Sequence, residues 1–295
     1  MNTFKEKAFL LLLILSLIWG YNWVVMKQGI EYIPALYFVF LRCMLGGLVL
    51  FAVLAFKGGI KKPKNFKNVF ILGILQTGFL GLAVLALIYA KAGKTAILVY
   101  SMPFWLMFLS WWFLSQKPDK KELISNAFAF AGLIFILEPW RLNIIHINSI
   151  LGDALAILSG IFWAFSVIWQ KTHKDLNENL LLVNAWQMFL GSFIVLIAAV
   201  YFEPFQVKFT SMFVFTVLYN AILGNAIAFL ILSYAVKKLP SGIMGLTMLF
   251  APIVGMVSAM LILNEQMNLV EIIGSVLIIA GLFITALDHI KRQTA

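Results

Sequence analysis

The chain has 295 residues, of which 63% are hydrophobic and 12% charged, with a mean hydropathy of +0.99, whereas a soluble domain holds about 45–50% apolar and about 25% charged residues. This excludes a soluble globular protein and predicts an integral membrane protein. The net charge of +10 does not point to nucleic acid, because the basic residues fall in short gaps between apolar runs and read as topology signals. A single cysteine, Cys43, excludes an internal disulfide framework and a thiolate metal site.

Lys5 and Lys7 precede the first apolar run, as in a signal peptide, but the run continues through Trp19, Tyr21 and Asn22 without a small-residue cleavage site. It is therefore predicted to be a retained first span. Apolar windows follow one another to the C-terminus. They predict helices at 8–28, 35–56, 67–90, 95–115, 120–138, 150–170, 180–202, 210–236, 241–263 and 269–288. Each approaches the ~20 residues needed to cross a ~30 Å hydrocarbon core. Ten spans put both termini on one side. The gaps on that side hold 16 Lys and Arg, chiefly Lys57 to Lys67 and Lys117 to Lys121, against 5 in the other set, Lys27, Lys91, Lys94, Arg141 and Lys208. That bias predicts cytoplasmic termini.

The spans repeat. Trp19, Asn22 and Lys27 recur as Trp163, Ser166 and Lys171 at an offset of 144, and Arg42 and Gly46 as Gln187 and Gly191 at 145. Pro103, Asp119 and Glu122 recur as Pro252, Asn268 and Glu271 at 149. An odd number of helices per unit inverts the second copy, so two five-helix repeats, 1–146 and 147–295, are predicted to form one membrane domain about a pseudo-two-fold axis in the membrane plane. The prolines at 103 and 252 each remove a helical hydrogen bond in mid-span, predicting broken helices beside a midplane site. Asp119 with Glu122, and Asn268 with Glu271, fit the cap and third positions of the helices that follow.

Arg42 is the charged residue well inside a span, a functional signal by default unless the side chain snorkels outward. Among the polar side chains at depth, Asn22, Gln76, Ser166, Gln187, Asn220 and Asn225, each serves either helix packing or substrate contact. Trp19 and Trp163 lie too deep for interfacial belts and could wall a cavity. Ala251, Gly255 and Ala259, four apart, predict close helix packing. Glu265 remains open between loop packing and gating. All twelve acids are read near span ends. With one cysteine and no mid-span acid or histidine, there is no general-base pair, zinc set or nucleophile constellation, so neither an enzyme, a metal nor a cofactor is expected.

With WGYNW at Trp19–Trp23, Arg42 in the second span, Gly152-Asp153 opening the sixth, and Ala251 to Gly255 before Asn264-Glu265, the chain resembles the EamA-like transporters of the drug/metabolite transporter superfamily. The resemblance covers both halves and implies ten helices around a central cavity bordered by spans 1, 3, 4, 6, 8 and 9, alternating access, and export of amino acids or other small metabolites. Where the family often ends its fourth span in Gly-Glu, this chain has Ser115-Gln116. The expectation is thus a multi-pass plasma-membrane exporter, in a bacterial inner membrane, with a small-molecule substrate and lipid as partners, no nucleic acid, and a monomer as the working state. Substrate contact is assigned to Trp19, Asn22, Arg42, Gln76, Trp163, Ser166 and Asn225, and helix breaking or gating to Pro103, Pro252 and Glu265. The competing classes are a nucleotide-sugar or phosphometabolite carrier, which would call for several converging cations, and a non-transporting receptor or scaffold. Facilitated export or exchange is favoured over a carboxylate proton relay.

Overall fold

The computed structural model describes residues 3–141, 147–177, 179–236, 238–239, 244 and 247–294. Every regular element among them is helical. The major ones are α1 (Thr3–Gly29), α2 (Ala35–Phe56), α3 (Phe66–Tyr89), α4 (Ala92–Val99), α5 (Met102–Leu114), α6 (Lys120–Leu137), α7 (Ile147–Thr172), α8 (Leu180–Phe202), α9 (Ser211–Leu218), α10 (Ala228–Val236), α11 (Phe250–Ile262) and α12 (Leu269–Thr294). A π-helical segment, Tyr219–Ile227, joins α9 to α10. Taking α4 with α5, and α9 with the segment that follows it, seven helical stretches are long and apolar enough to cross a membrane. Two shorter apolar helices, Phe250–Ile262 and Leu269–Ile284, accompany them. The molecule is all-α and multi-pass.

Local chemistry sets the helix boundaries. Side chains of Asn65, Asn179 and Thr210 accept from the amides of Asn68, Leu182 and Phe213, satisfying donors that a helix start leaves open. Asp119 and Glu122 close a reciprocal capping box, and Asn268 and Glu271 form the same pair of bonds at 2.9 and 2.8 Å. The start of α2 follows Pro34 and has no local cap. Its amides are instead met by Glu203, at the far end of α8, whose carboxylate accepts from Leu36 at 2.9 Å. Burial pushes that carboxyl above its usual range, against the amide bonds that hold it down.

Helices pair closely as α6 with α12, α3 with α7, α2 with α8 and α1 with α11. Between α6 and α12 the backbones nearly touch: a Cβ on Gly132 would stand 2.5 Å from the Gly274 carbonyl oxygen, and one on Gly274 2.7 Å from that of Gly132. Only glycine permits this approach. Gly255 and Ala259 of α11 pack against Trp23, Ala96 and Gly93.

The fourth predicted span is two helices, because α4 stops at Val99 and α5 starts at Met102 with Pro103 in its first turn. It also begins three residues earlier than the hydropathy window, which places Lys94 inside α4 instead of in a loop. In the ninth predicted span Leu249 is a turn and α11 starts at Phe250; most of its first third lies outside the described residues. The eighth, expected as one α-helix, carries the π segment, which hydropathy cannot reveal because the residues stay apolar.

Candidate functional site

A cavity of about 500 Å³ occupies the middle of the bundle, within the range of about 300–1,000 Å³ usual for small-molecule sites. It is bordered by α1, α2, α3, α7, α8, the π segment, α10, α12 and both helix breaks. The contributions of α8 and α12 were not anticipated from sequence, and that of α2 only through Arg42. The cavity reaches the surface at exposed Asn177, in the connection between α7 and α8.

Its walls are aromatic. Trp163 stacks on Phe79 with ring centroids 5.0 Å apart and meets Tyr100 edge-on at 5.5 Å, while Trp19 meets Phe229 at 6.3 Å. The indole N–H of Trp19 donates to the Gly224 carbonyl at 2.9 Å, giving a buried ring the partner it requires. Polar tips interrupt these walls at Asn22, Arg42, Gln76, Asn184, Gln187 and Asn225.

Arg42 is only 3% exposed. It does not snorkel: one terminal nitrogen donates to the Met26 sulfur at 2.8 Å, the other to Asn225 Oδ1 at 3.1 Å, and Asn225 Nδ2 returns a bond to the Arg42 carbonyl at 2.8 Å. This double link depends on Gly46, where a Cβ would stand 2.9 Å from that of Asn225. It depends equally on the π segment, which carries Gly224 and Asn225, the kind of helical irregularity that often accompanies function. The Arg42 Nε, the Asn22 Oδ1 and the Gln187 Oε1 have no hydrogen-bond partner. No acidic side chain is among the described residues lining the cavity.

The sequence-selected residues thus divide. Trp19, Asn22, Arg42, Gln76, Trp163, Asn225 and Pro103 all line the cavity, as do Gln187 and both break residues, Tyr100 and Leu249. Ser166 does not: it is fully buried and its hydroxyl donates to the Trp163 carbonyl at 2.7 Å. Asn220, also fully buried, lies off the cavity and donates to the Thr216 carbonyl. Pro252 is buried in α11 just beyond the lining break. Near that break the Ser16 hydroxyl donates to the Thr247 carbonyl at 2.8 Å, one way in which an interrupted helix satisfies its backbone. Asn184, at the inner rim beside Gln187, was missed; its neighbour Gln187 donates to it at 2.7 Å.

Glu265 sits at the other end of the molecule. Its two carboxylate oxygens accept from the amides of Ala92 and Gly93 at 2.7 and 3.0 Å, capping α4 from a different helix pair. Beside it Lys94 donates to Asp153 at 2.7 Å in a buried ion pair, Lys91 lies 3.5 Å from Glu271, and Lys27 donates to the carbonyls of Leu87 and Ala90. Asp153, only 4% exposed, is therefore an acid inside the bundle, not an exposed residue at a span end: α7 begins at Ile147, two turns before it. None of these charged residues lines the cavity.

An all-helical, multi-pass bundle around a central cavity that opens at one end is the architecture of a membrane carrier. The profile of the EamA-like transporter family matches residues 6–138 and again 150–287, and the chain belongs to that family. It is a secondary transporter, not an enzyme. Among similar proteins, the uncharacterized transporter YoaV of Bacillus subtilis strain 168 is 27% identical over 97% of this chain and 99% of its own. A probable amino-acid metabolite efflux pump of Salmonella typhimurium strain LT2 is 26% identical over 99% and 98%, and one of Escherichia coli K12 25% over 95% of each. A solved crystal structure shares the fold with a TM-score of 0.68, covering 95% of this chain and 96% of that one at 18% identity.

Proposed function

We propose that this transporter exports amino acids or related small metabolites across the plasma membrane by alternating access. In this reading, the central cavity holds the substrate, with Trp19, Asn22, Arg42, Gln76, Trp163 and Asn225 as contacts and Ser166 as support. Pro103 and Pro252 break the helices that move, and Glu265 belongs to the gate. The observation that carries it is the cavity itself: it holds a buried cation without a counter-ion among its described lining, is walled by both broken helices, and is lined by none of the charged residues around Glu265. The names of the Salmonella and Escherichia relatives support the substrate class.

Ten spans in two inverted five-helix repeats, 1–146 and 147–295, with both termini cytoplasmic, make the conformation inward-open. Two observations support that arrangement. The family profile matches twice, once per proposed repeat. Exchanging each helix for its repeat mate also turns the α1–α11 contact into that of α7 with α4 and α5, and leaves α6–α12 and α2–α8 unchanged. Facilitated export or exchange fits a cavity without a carboxylate.

Purified protein in proteoliposomes should show saturable, counterflow-capable flux of labelled amino acids, and its absence across a broad panel would remove the transport reading of the cavity. A cytoplasmic reporter fused at Ala295 should be active; an extracytoplasmic signal there would overturn the topology.

A further inference from the structure

We infer that this cavity selects cargo by a carboxylate and an N–H group, and that the positive charge of an ammonium is dispensable, so that N-acylated amino acids are cargo as much as free ones. The inference rests on the central cavity being the transport site. Its basis is the charge of the lining, one buried cation and no described acid. Arg42 is buried, and its contacts are a thioether sulfur and a carboxamide oxygen. Neither carries negative charge, and a thioether is a weak acceptor. Its Nε has no partner at all. A buried guanidinium without an anion is costly, and a carboxylate at this position would gain a charge-assisted bond in a low-dielectric setting.

The neutral polar groups are of another kind. Asn22 and Gln187 are carboxamides on buried residues that line the cavity. They take an N–H whether its nitrogen is charged or neutral. They supply no countercharge, and a desolvated ammonium needs one. Since no described lining residue is acidic, the cavity offers an anion a full counter-charge and a cation only the faces of its aromatic walls. Acylating the amine removes a charge the site answers only weakly and leaves one N–H. Amidating the carboxylate removes the charge that Arg42 answers and leaves a net cation facing a cation. The aromatic walls suit an apolar or aromatic body, and about 500 Å³ accommodates the added acetyl group.

The test is binding to the purified full-length protein in lipid nanodiscs, by calorimetry, with phenylalanine, N-acetylphenylalanine and phenylalaninamide. Phenylalanine and its N-acetyl derivative are expected to bind within about threefold of each other, and phenylalaninamide at least about tenfold more weakly, the scale of one lost charge-assisted contact. Arg42→Gln should bring phenylalanine and the amide to within about threefold. Should that variant not fold, Arg42→Lys, which keeps the charge but not the planar fork, should weaken both carboxylates while still ranking them above the amide. Phenylalaninamide matching phenylalanine, or N-acetylphenylalanine failing where phenylalanine binds, would overturn the inference while leaving the cavity as a transport site. Binding by none of the three would overturn the inference as well, while the transport reading stands or falls on the broad flux panel.

Discussion

Among the described residues two cations are buried in this bundle, and their surroundings are opposite. Lys94 sits in α4 with its nitrogen 2.7 Å from a carboxylate oxygen of Asp153, off the lining of the central cavity. Arg42 sits in α2 against sulfur and carboxamide, with one nitrogen unbonded at the wall of a cavity. The first charge carries its counter-ion within the fold and helps join α4 to α7. The second has been left for something that arrives. Burial alone therefore does not mark a functional charge; burial without a counter-charge does. The same contrast separates the two ends of the molecule. At the Glu265 end charges meet counter-charges or helix amides, while the Asn177 end is lined by carboxamides.

The largest expected effect breaks the paired side. Asp153→Asn strands the Lys94 ammonium in the bundle and should destabilise the purified protein by about 3–5 kcal/mol, the usual consequence of removing one partner of a buried pair, read as a drop in thermal unfolding temperature in detergent. Replacing both, Lys94→Met with Asp153→Leu, should recover most of the loss, since apolar residues of similar volume often substitute for a buried pair. On the unpaired side the effect is smaller. Arg42→Met orphans no counter-ion but leaves the buried Asn225 Oδ1 without its donor, and should cost about 1–3 kcal/mol of stability, while transport is lost. A strongly destabilised Arg42→Met with normal Asp153→Asn would invert the comparison.

A smaller effect is expected at the closed end. Glu265 holds two amides at the start of α4 with a full negative charge. Glu265→Gln keeps one acceptor and loses the charge facing the helix dipole, which should cost about 0.5–2 kcal/mol. With Cys43→Ala to remove the native thiol, a Leu80→Cys probe in the cavity wall should then label faster with an impermeant thiol reagent added from the Glu265 side. Unchanged labelling from that side would restrict Glu265 to capping.

Much of this was legible in the residues. Apolar runs gave the helices, the 149-residue offset located both breaks, and Arg42, Asn22 and Asn225 were chosen for being polar at depth; all three line the cavity. What stayed hidden depends on neighbours that hydropathy does not see. Lys94 resembles a loop charge, and Asp153 a charge near a span end, until α4 and α7 are packed side by side. The π segment needs the insertion of Trp19 and Asn22 against Gly224 to be apparent. Ser166 was selected as the repeat mate of Asn22, yet a hydroxyl is short enough to bond its own helix, so pseudo-symmetry of sequence did not carry over to chemistry.

An effect of similar size to that at Glu265, and the most informative about cargo, is expected at Trp163. Its ring stacks on Phe79 and meets Tyr100, the residue at the break of α4 and α5, so it touches both the wall and the hinge. Trp163→Phe keeps an aromatic face while removing volume, and should cost about 1–2 kcal/mol of stability, less than full truncation of the ring. If the ring contacts cargo, apparent affinity should shift by about 1–3 kcal/mol between substrates that differ in side-chain size, the discrimination a hydrophobic pocket can supply, with bulkier bodies gaining relative to small ones. Trp163→Ala should extend that shift at about 3–5 kcal/mol of stability, which makes the phenylalanine variant the cleaner probe. Measured as competitive flux in proteoliposomes, an unchanged ranking of substrates in Trp163→Phe would assign the indole to packing against Phe79 and leave cargo selection to the Arg42 side of the cavity.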